Sequence, residues 1–190
     1  MIAYVFWHFG RTEIPMREYE PVLAGFHDKL RQKKPDGFLQ SKVYRVKNLP
    51  WMDPHRIIYE DWYILENFSA LDALNVGAVS PRMKGPHDKI ASFSDRGAGG
   101  IFRLKNQPEP DYKAVIAYWL TKPPDMPYEK FYQKIEPFAE QPQVAFWTRQ
   151  LVLGPSKEFC IHAPATLDIS LKNEVLFRDL EQVWPQGSSF

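Results

Sequence analysis

The chain has 190 residues, of which 44% are hydrophobic and 15% aromatic, enough to bury a core without disulfides or metals. Its 24 basic and 23 acidic residues leave a formal net charge of +1, so charge makes no case for nucleic acid or an anionic membrane as partner. A single cysteine, Cys160, rules out an intrachain disulfide and suits a reducing cytoplasm, and no apolar run is long enough for a membrane helix.

Ala3 to Phe9, AYVFWHF, reads as a buried strand that opens the fold, with no features of a signal peptide. Alternation puts Tyr4, Phe6 and His8 on one face and Val5, Trp7 and Phe9 on the other. A helix follows to about Lys33, with Tyr19, Val22, Leu23, Phe26 and Leu30 on one face and Pro21 expected in its first turns. Pro35-Asp36-Gly37 is a stop-and-turn signal. Phe38 to Val46 reads as a strand, KNLPWMDPH as a long turn, and Arg56 to Glu66 as a third strand. Ser69 to Val79 is then a helix, with Ser69 as its expected N-cap and Asp72 completing a capping box. Pro81 to Arg96 reads as a loop with a helical turn over HDKIASF. Gly97-Ala98-Gly99-Gly100 is a flexible entry to a fourth strand, IFRLKN. The order is β-α-β-β-α-β.

After the linker 107–111 the pattern begins again. YKAVIAYWLT is a strand like the first. Tyr128, Phe131, Tyr132 and Ile135 repeat the helical offsets of Tyr19, Val22, Leu23 and Phe26. VAFWTRQLVL corresponds to the second strand, FCIHAPATLD to YILENFSALD, and EVLFRDLEQVWP to the fourth strand. This is a degenerate internal repeat whose second copy has lost most of its second helix. The expected division is 1–106 and 112–185, with a tail at 186–190.

A β-α-β-β-α-β unit makes a four-stranded antiparallel sheet with both helices on one face, leaving an apolar face to be covered. In this pattern, and in the run ENFSALDAL, the chain resembles the dimeric α+β barrel superfamily, the ferredoxin-like group that includes antibiotic-biosynthesis-type monooxygenases. Glu66 and Phe68 match the family's Glu-x-Trp, and Ala73-Leu74 its Ala-Leu. Gly77 stands where the family carries a histidine. The resemblance implies an α+β fold of two tandem ferredoxin-like repeats, the second shortened, packed as an intrachain barrel.

Several side chains are candidates for chemistry. His87, in the polar run PRMKGPHDK, is a candidate general base or carbonyl donor, and His8, inside the first strand, a candidate partner. Tyr63, Trp62, Asn75 and Arg82 are candidate substrate contacts. His162 follows Cys160 by two residues, but a metal site needs further ligands that the sequence does not supply. No cofactor is called for. Haem-binding branches of the same superfamily imply a histidine axial ligand as the lesser alternative. What the resemblance implies is a cofactor-independent enzyme of monooxygenase, isomerase or dehydratase type acting on a small apolar or aromatic carbonyl compound. A non-catalytic barrel that binds a small molecule or another chain is the alternative. A homo-oligomer is compatible with either.

Overall fold

The computed structural model describes residues 1–109, 111–151, 154–169 and 175–185. The expected tail, 186–190, lies outside the described residues. The chain divides into two compact units, Met1–Ile101 with Glu181–Phe190, and Phe102–Leu180. Among the described residues no helix is long and apolar enough to cross a membrane.

The first unit runs β1 (Ile2–Gly10), α1 (Met16–Lys33), β2 (Phe38–Val46), β3 (Ile58–Leu65), α2 (Ser69–Ala78), α3 (Lys84–Phe93) and β4 (Ser94–Leu104). Its strands lie in the order β4-β1-β3-β2. That order, with antiparallel β1–β3 and β2–β3 pairs, is the ferredoxin-like arrangement. Directly opposed residues of an antiparallel pair point to one face. Tyr4 lies opposite Tyr63, Phe6 opposite Asp61 and His8 opposite Tyr59. This face meets the helices in a core built on Tyr19, Leu23, Phe26 and Leu30 of α1, Leu74 of α2 and Ile90 of α3. Each such side chain taken fully out of water contributes about 1.5–3 kcal/mol. The opposite face carries Val5, Trp7, Trp62 and Ile64, and it too is buried. Both faces of β3 are therefore dry, which is why its apolar residues fall on both faces instead of alternating with exposed polar ones.

The second unit holds β5 (Ile116–Leu120), α4 (Tyr128–Ala139), β6 (Ala145–Arg149), β7 (Phe159–Ala163) and β8 (Val175–Asp179). Their order, β8-β5-β7-β6, repeats that of the first unit, and β6 continues onto Phe102–Leu104 of β4. Among the described residues no helix stands between β7 and β8. Phe131, Ile135, Phe146 and Phe159 centre its core. The last expected strand is in fact two. After β8 the Leu180 N–H bonds to the Val115 carbonyl, and β9 (Glu181–Trp184) then pairs antiparallel with β2.

Pro21 stands in the second turn of α1, within the first turns as expected. Two local expectations are corrected. Ser69 is not the cap of α2: Phe68 is already helical, and Asn67 Oδ1 accepts the Ala70 N–H at 3.2 Å. The helix starts one residue early, so the capping oxygen must come from position 67. The loop expected over Pro81–Arg96 is mostly the ten-residue helix α3, and β4 starts at Ser94, so the glycine run lies inside a strand. Those glycines have a steric job. A Cβ at Gly97 would lie 2.4 Å from Phe6 Cζ and 2.9 Å from the Trp7 carbonyl, and one at Gly99 would lie 3.0 Å from Tyr4 Cε2. Glycine lets the β1 rings lie over β4.

Gly97→Ala is therefore expected to lower stability by roughly 1–3 kcal/mol through overpacking. Gly25→Ala, where an added Cβ meets nothing within 4 Å, is expected to raise it by about 1 kcal/mol through helix propensity. Urea denaturation midpoints of the two variants check both signs.

Candidate active site

The helix-facing side of the first unit's sheet encloses a cavity of about 340 Å³, at the small end of ligand pockets. Tyr4, Phe6 and His8 of β1 and Asp61 and Tyr63 of β3 form its floor. Leu23 and Phe26 of α1, Leu74 and Asn75 of α2, and His87 and Ile90 of α3 wall it, and Ser94 and Asp95 lie at the start of β4. The floor is a layer of nearly parallel rings. Tyr63 stacks on Tyr4 at 5.7 Å, and Phe6 on His8 at 5.0 Å.

Asp61 is the centre of the polar part. It is almost wholly buried, and a buried carboxylate is tolerated only when paired. Tyr63 donates to Asp61 Oδ2 at 3.1 Å, and His27 Nε2 lies 3.2 Å from the same oxygen. His8 Nε2 stands 3.1 Å from Oδ1, within ion-pair reach but off the line of a straight hydrogen bond, so neither atom has a hydrogen-bond partner. Burial alone would push the Asp61 carboxyl up, but the two imidazoles and the His27 hydrogen bond outweigh it and hold the carboxyl well below its usual range. Burial and the Asp61 charge together push the Tyr63 hydroxyl well up, so it remains a donor.

Each histidine is tied a second time. His27 Nδ1 meets Ser41 Oγ at 2.9 Å, and His8 Nδ1 meets the Tyr19 hydroxyl at 2.7 Å. Tyr19 in turn lies 3.0 Å from Ser94 Oγ, which donates to the Ile90 carbonyl at 2.9 Å. An axial haem ligand needs a ring nitrogen free to bind iron. His27 has both nitrogens hydrogen-bonded, to Ser41 and Asp61, so a haem does not fit on it, and among the described residues no His/Cys/Asp/Glu cluster is placed to hold a metal ion.

Four of the six site candidates line this cavity: His8, Tyr63, Asn75 and His87. His87 comes from the middle of α3, where its N–H bonds to the Met83 carbonyl, and its Nδ1 lies 3.3 Å from Asp88 Oδ1. Arg82 lies elsewhere, beside Lys33, Pro35 and Ser80 in a separate surface cavity. Trp62 lies on the opposite face of β3, where its indole donates to Glu60 Oε1 at 2.6 Å. The period-2 alternation of a strand forbids Trp62 and Tyr63 from sharing a pocket. Gly77 packs against Pro35, 3.0 Å from where its Cβ would stand, and does not reach the cavity. Asp61, His27 and Tyr19 escaped the sequence reading. The signal for Asp61 was an acid pair, Glu60-Asp61, inside an apolar strand. For His27 it was an imidazole four residues after Leu23 and three before Leu30, on the buried stripe of α1.

Glu60 is the counterpart of Asp61 on the other face. It is fully buried and accepts Trp7 Nε1 at 2.7 Å as well as Trp62. Burial pushes its carboxyl up to about 7 against the opposing indole bonds.

No protein-family model and no curated protein matches the chain. The strand order and helix placement define it as a ferredoxin-like α+β protein. Solved structures agree. A candidate monooxygenase of Fusobacterium nucleatum superposes with a TM-score of 0.62 at 12% identity, over 96% of this chain and 92% of that one. A candidate monooxygenase of Lactobacillus acidophilus superposes with a TM-score of 0.55 at 11% identity, over 96% and 94%. At these identities the likeness is one of fold.

The two carboxylates give opposite pH dependences. A depressed carboxyl contributes stability that is present above its unfolded value near 3.9 and lost as pH falls below it. Asp61→Asn is expected to remove that acid-side loss and to cost about 3–5 kcal/mol at neutral pH. A raised carboxyl contributes stability that is full below about 4.3 and lost as pH rises toward 7. Glu60→Gln is expected to flatten a decline on the order of 3 kcal/mol between those values. Calorimetric melting of both variants from pH 3 to 8 checks the two slopes.

Proposed function

We propose that the first unit houses a cofactor-independent enzyme that removes a proton beside the carbonyl of a small apolar or aromatic compound. That step is common to the isomerase, dehydratase and oxygenase chemistries that the fold resemblance implies. The observation that carries the reading is the His8–Asp61 pair at the floor of an aromatic cavity, with both facing atoms buried and unpartnered. An imidazole beside a fixed carboxylate is a suitable base, because the carboxylate stabilises the imidazolium that forms.

In this reading His8 Nε2 takes the proton and Asp61, oriented by Tyr63 and His27, balances the charge. Asn75 and His87, on the helices opposite the floor, hold the carbonyl oxygen as negative charge builds on it. The ring layer of Tyr63, Tyr4 and Phe6 seats the flat part of the ligand, and Leu23, Phe26 and Ile90 keep water out. The tandem barrel expected from the sequence belongs to the same proposal. Its support is the strand order that the second unit repeats.

The test is proton NMR in heavy water with a panel of small aryl and alkyl ketones, acetophenone first, recording deuterium wash-in and conversion together. The expected result is protein-dependent exchange or conversion that His8→Ala lowers by about 10²–10⁴-fold and His87→Ala lowers less. Saturable binding with neither exchange nor conversion across the panel would make this a binding protein instead and overturn the proposal.

A further inference from the structure

Tyr19 and Ser94 have no part in holding the ligand under that reading, yet they join His8 in an unbroken chain. His8 Nδ1, the Tyr19 hydroxyl, Ser94 Oγ and the Ile90 carbonyl follow one another at 2.7, 3.0 and 2.9 Å. Each hydrogen can be assigned. Ser94 donates to Ile90, so its oxygen accepts from Tyr19, and the Tyr19 oxygen then accepts from His8 Nδ1–H. The remaining ring nitrogen, Nε2, stands 3.1 Å from Asp61 Oδ1, whose charge stabilises a proton placed there. His8 and Tyr19 are essentially without solvent exposure, whereas Ser94 is half-buried and lines the cavity.

We infer that Tyr19 and Ser94 form a proton path that links the base, His8, to solvent at Ser94 while an apolar ligand covers the imidazole. The inference rests on the reading of His8 as that base. When Nε2 gains a proton, the Nδ1 proton passes to the Tyr19 oxygen, the Tyr19 proton passes to Ser94, and the Ser94 proton leaves to water. His8 returns to neutrality with its proton on Nε2, and the hydrogen bonds of the chain point the other way. No bond other than O–H and N–H changes, and one proton enters for each that leaves. Burial pushes the Tyr19 hydroxyl far up, so the phenol passes its proton on as it receives one and never stands as an anion. The charged and titratable groups around His8 are Asp61 and Tyr59 of β3, Tyr19 and His27 of α1, His87 of α3 and Asp95 of β4.

The chain can be tested without a substrate. In protein labelled with ¹⁵N-histidine, long-range proton–nitrogen correlation gives the His8 tautomer, and saturation transfer from water gives the exchange rate of its Nδ1 proton. Ser94→Ala removes the outlet, and Tyr19→Phe removes the link while keeping the ring. The expected result is a fall in the His8 exchange rate of about tenfold or more in Ser94→Ala, a modest share of what a positioned proton-transfer group supplies. Tyr19→Phe, if it folds, behaves alike. The ring proton of His27, whose partner is Ser41, keeps its rate and serves as the internal control. An unchanged His8 rate in Ser94→Ala, or an equal fall at His27, overturns the path. A blank ketone assay removes the enzyme without touching this result, so the two failures are told apart.

Discussion

The fold of the first unit is organised around one buried negative charge. Removing a carboxylate from water costs several kcal/mol unless partners surround it, and Asp61 has its partners from three directions. His8 comes from the neighbouring strand, His27 from the helix above, and Tyr63 from two places along the same strand. To satisfy Asp61, β1 must pair so that Phe6 lies opposite it, and α1 must turn its 23–26–27–30 stripe to the sheet. A one-residue slip of β1 would move His8 to the other face and strand the charge. The same arrangement brings the polar groups to the floor of a cavity with apolar walls, where electrostatic effects are strongest.

Adjacent residues of β3 show how completely surroundings decide the behaviour of a group. Glu60 and Asp61 are both buried carboxylates one residue apart. Strand alternation sends them to opposite faces, one to two indole N–H donors and the other to two imidazoles. Neutral donors leave burial in command, so Glu60 rises to about 7. Imidazoles that can carry charge reverse the balance, so Asp61 falls. Only the second arrangement lies at the floor of the aromatic cavity.

The aromatic content also acquires a purpose. Gly97 and Gly99 allow Phe6 and Tyr4 to lie over β4, and those two rings with Tyr63 and His8 make the flat floor. Glycine in a strand, aromatic rings on its neighbour and a planar cavity floor are one construction. The fold shared with the monooxygenase candidates supplies the platform, and the chemistry rests on which side chains this chain puts on it.

Sequence alone determined the α+β class and the two faces of β1, because periodicity and turn chemistry are local properties, whereas α3 read as a loop and β8 with β9 as one strand. His8, Tyr63, Asn75 and His87 stood out for the same reason, as polar or titratable side chains at marked positions of recognisable elements. Trp62 shows the limit of such reading, since one step along a strand puts a side chain on the other face. Arg82 shows it again, since a turn residue can leave on either side. Asp61 meets His27 across 34 positions of the sequence, and Tyr19 meets Ser94 across 75. No local pattern marks one as the partner of another, because each looks like an ordinary member of its own strand or helix. Strand pairing and helix docking made them a single network, because only the folded chain could bring partners to a charge that water no longer reached.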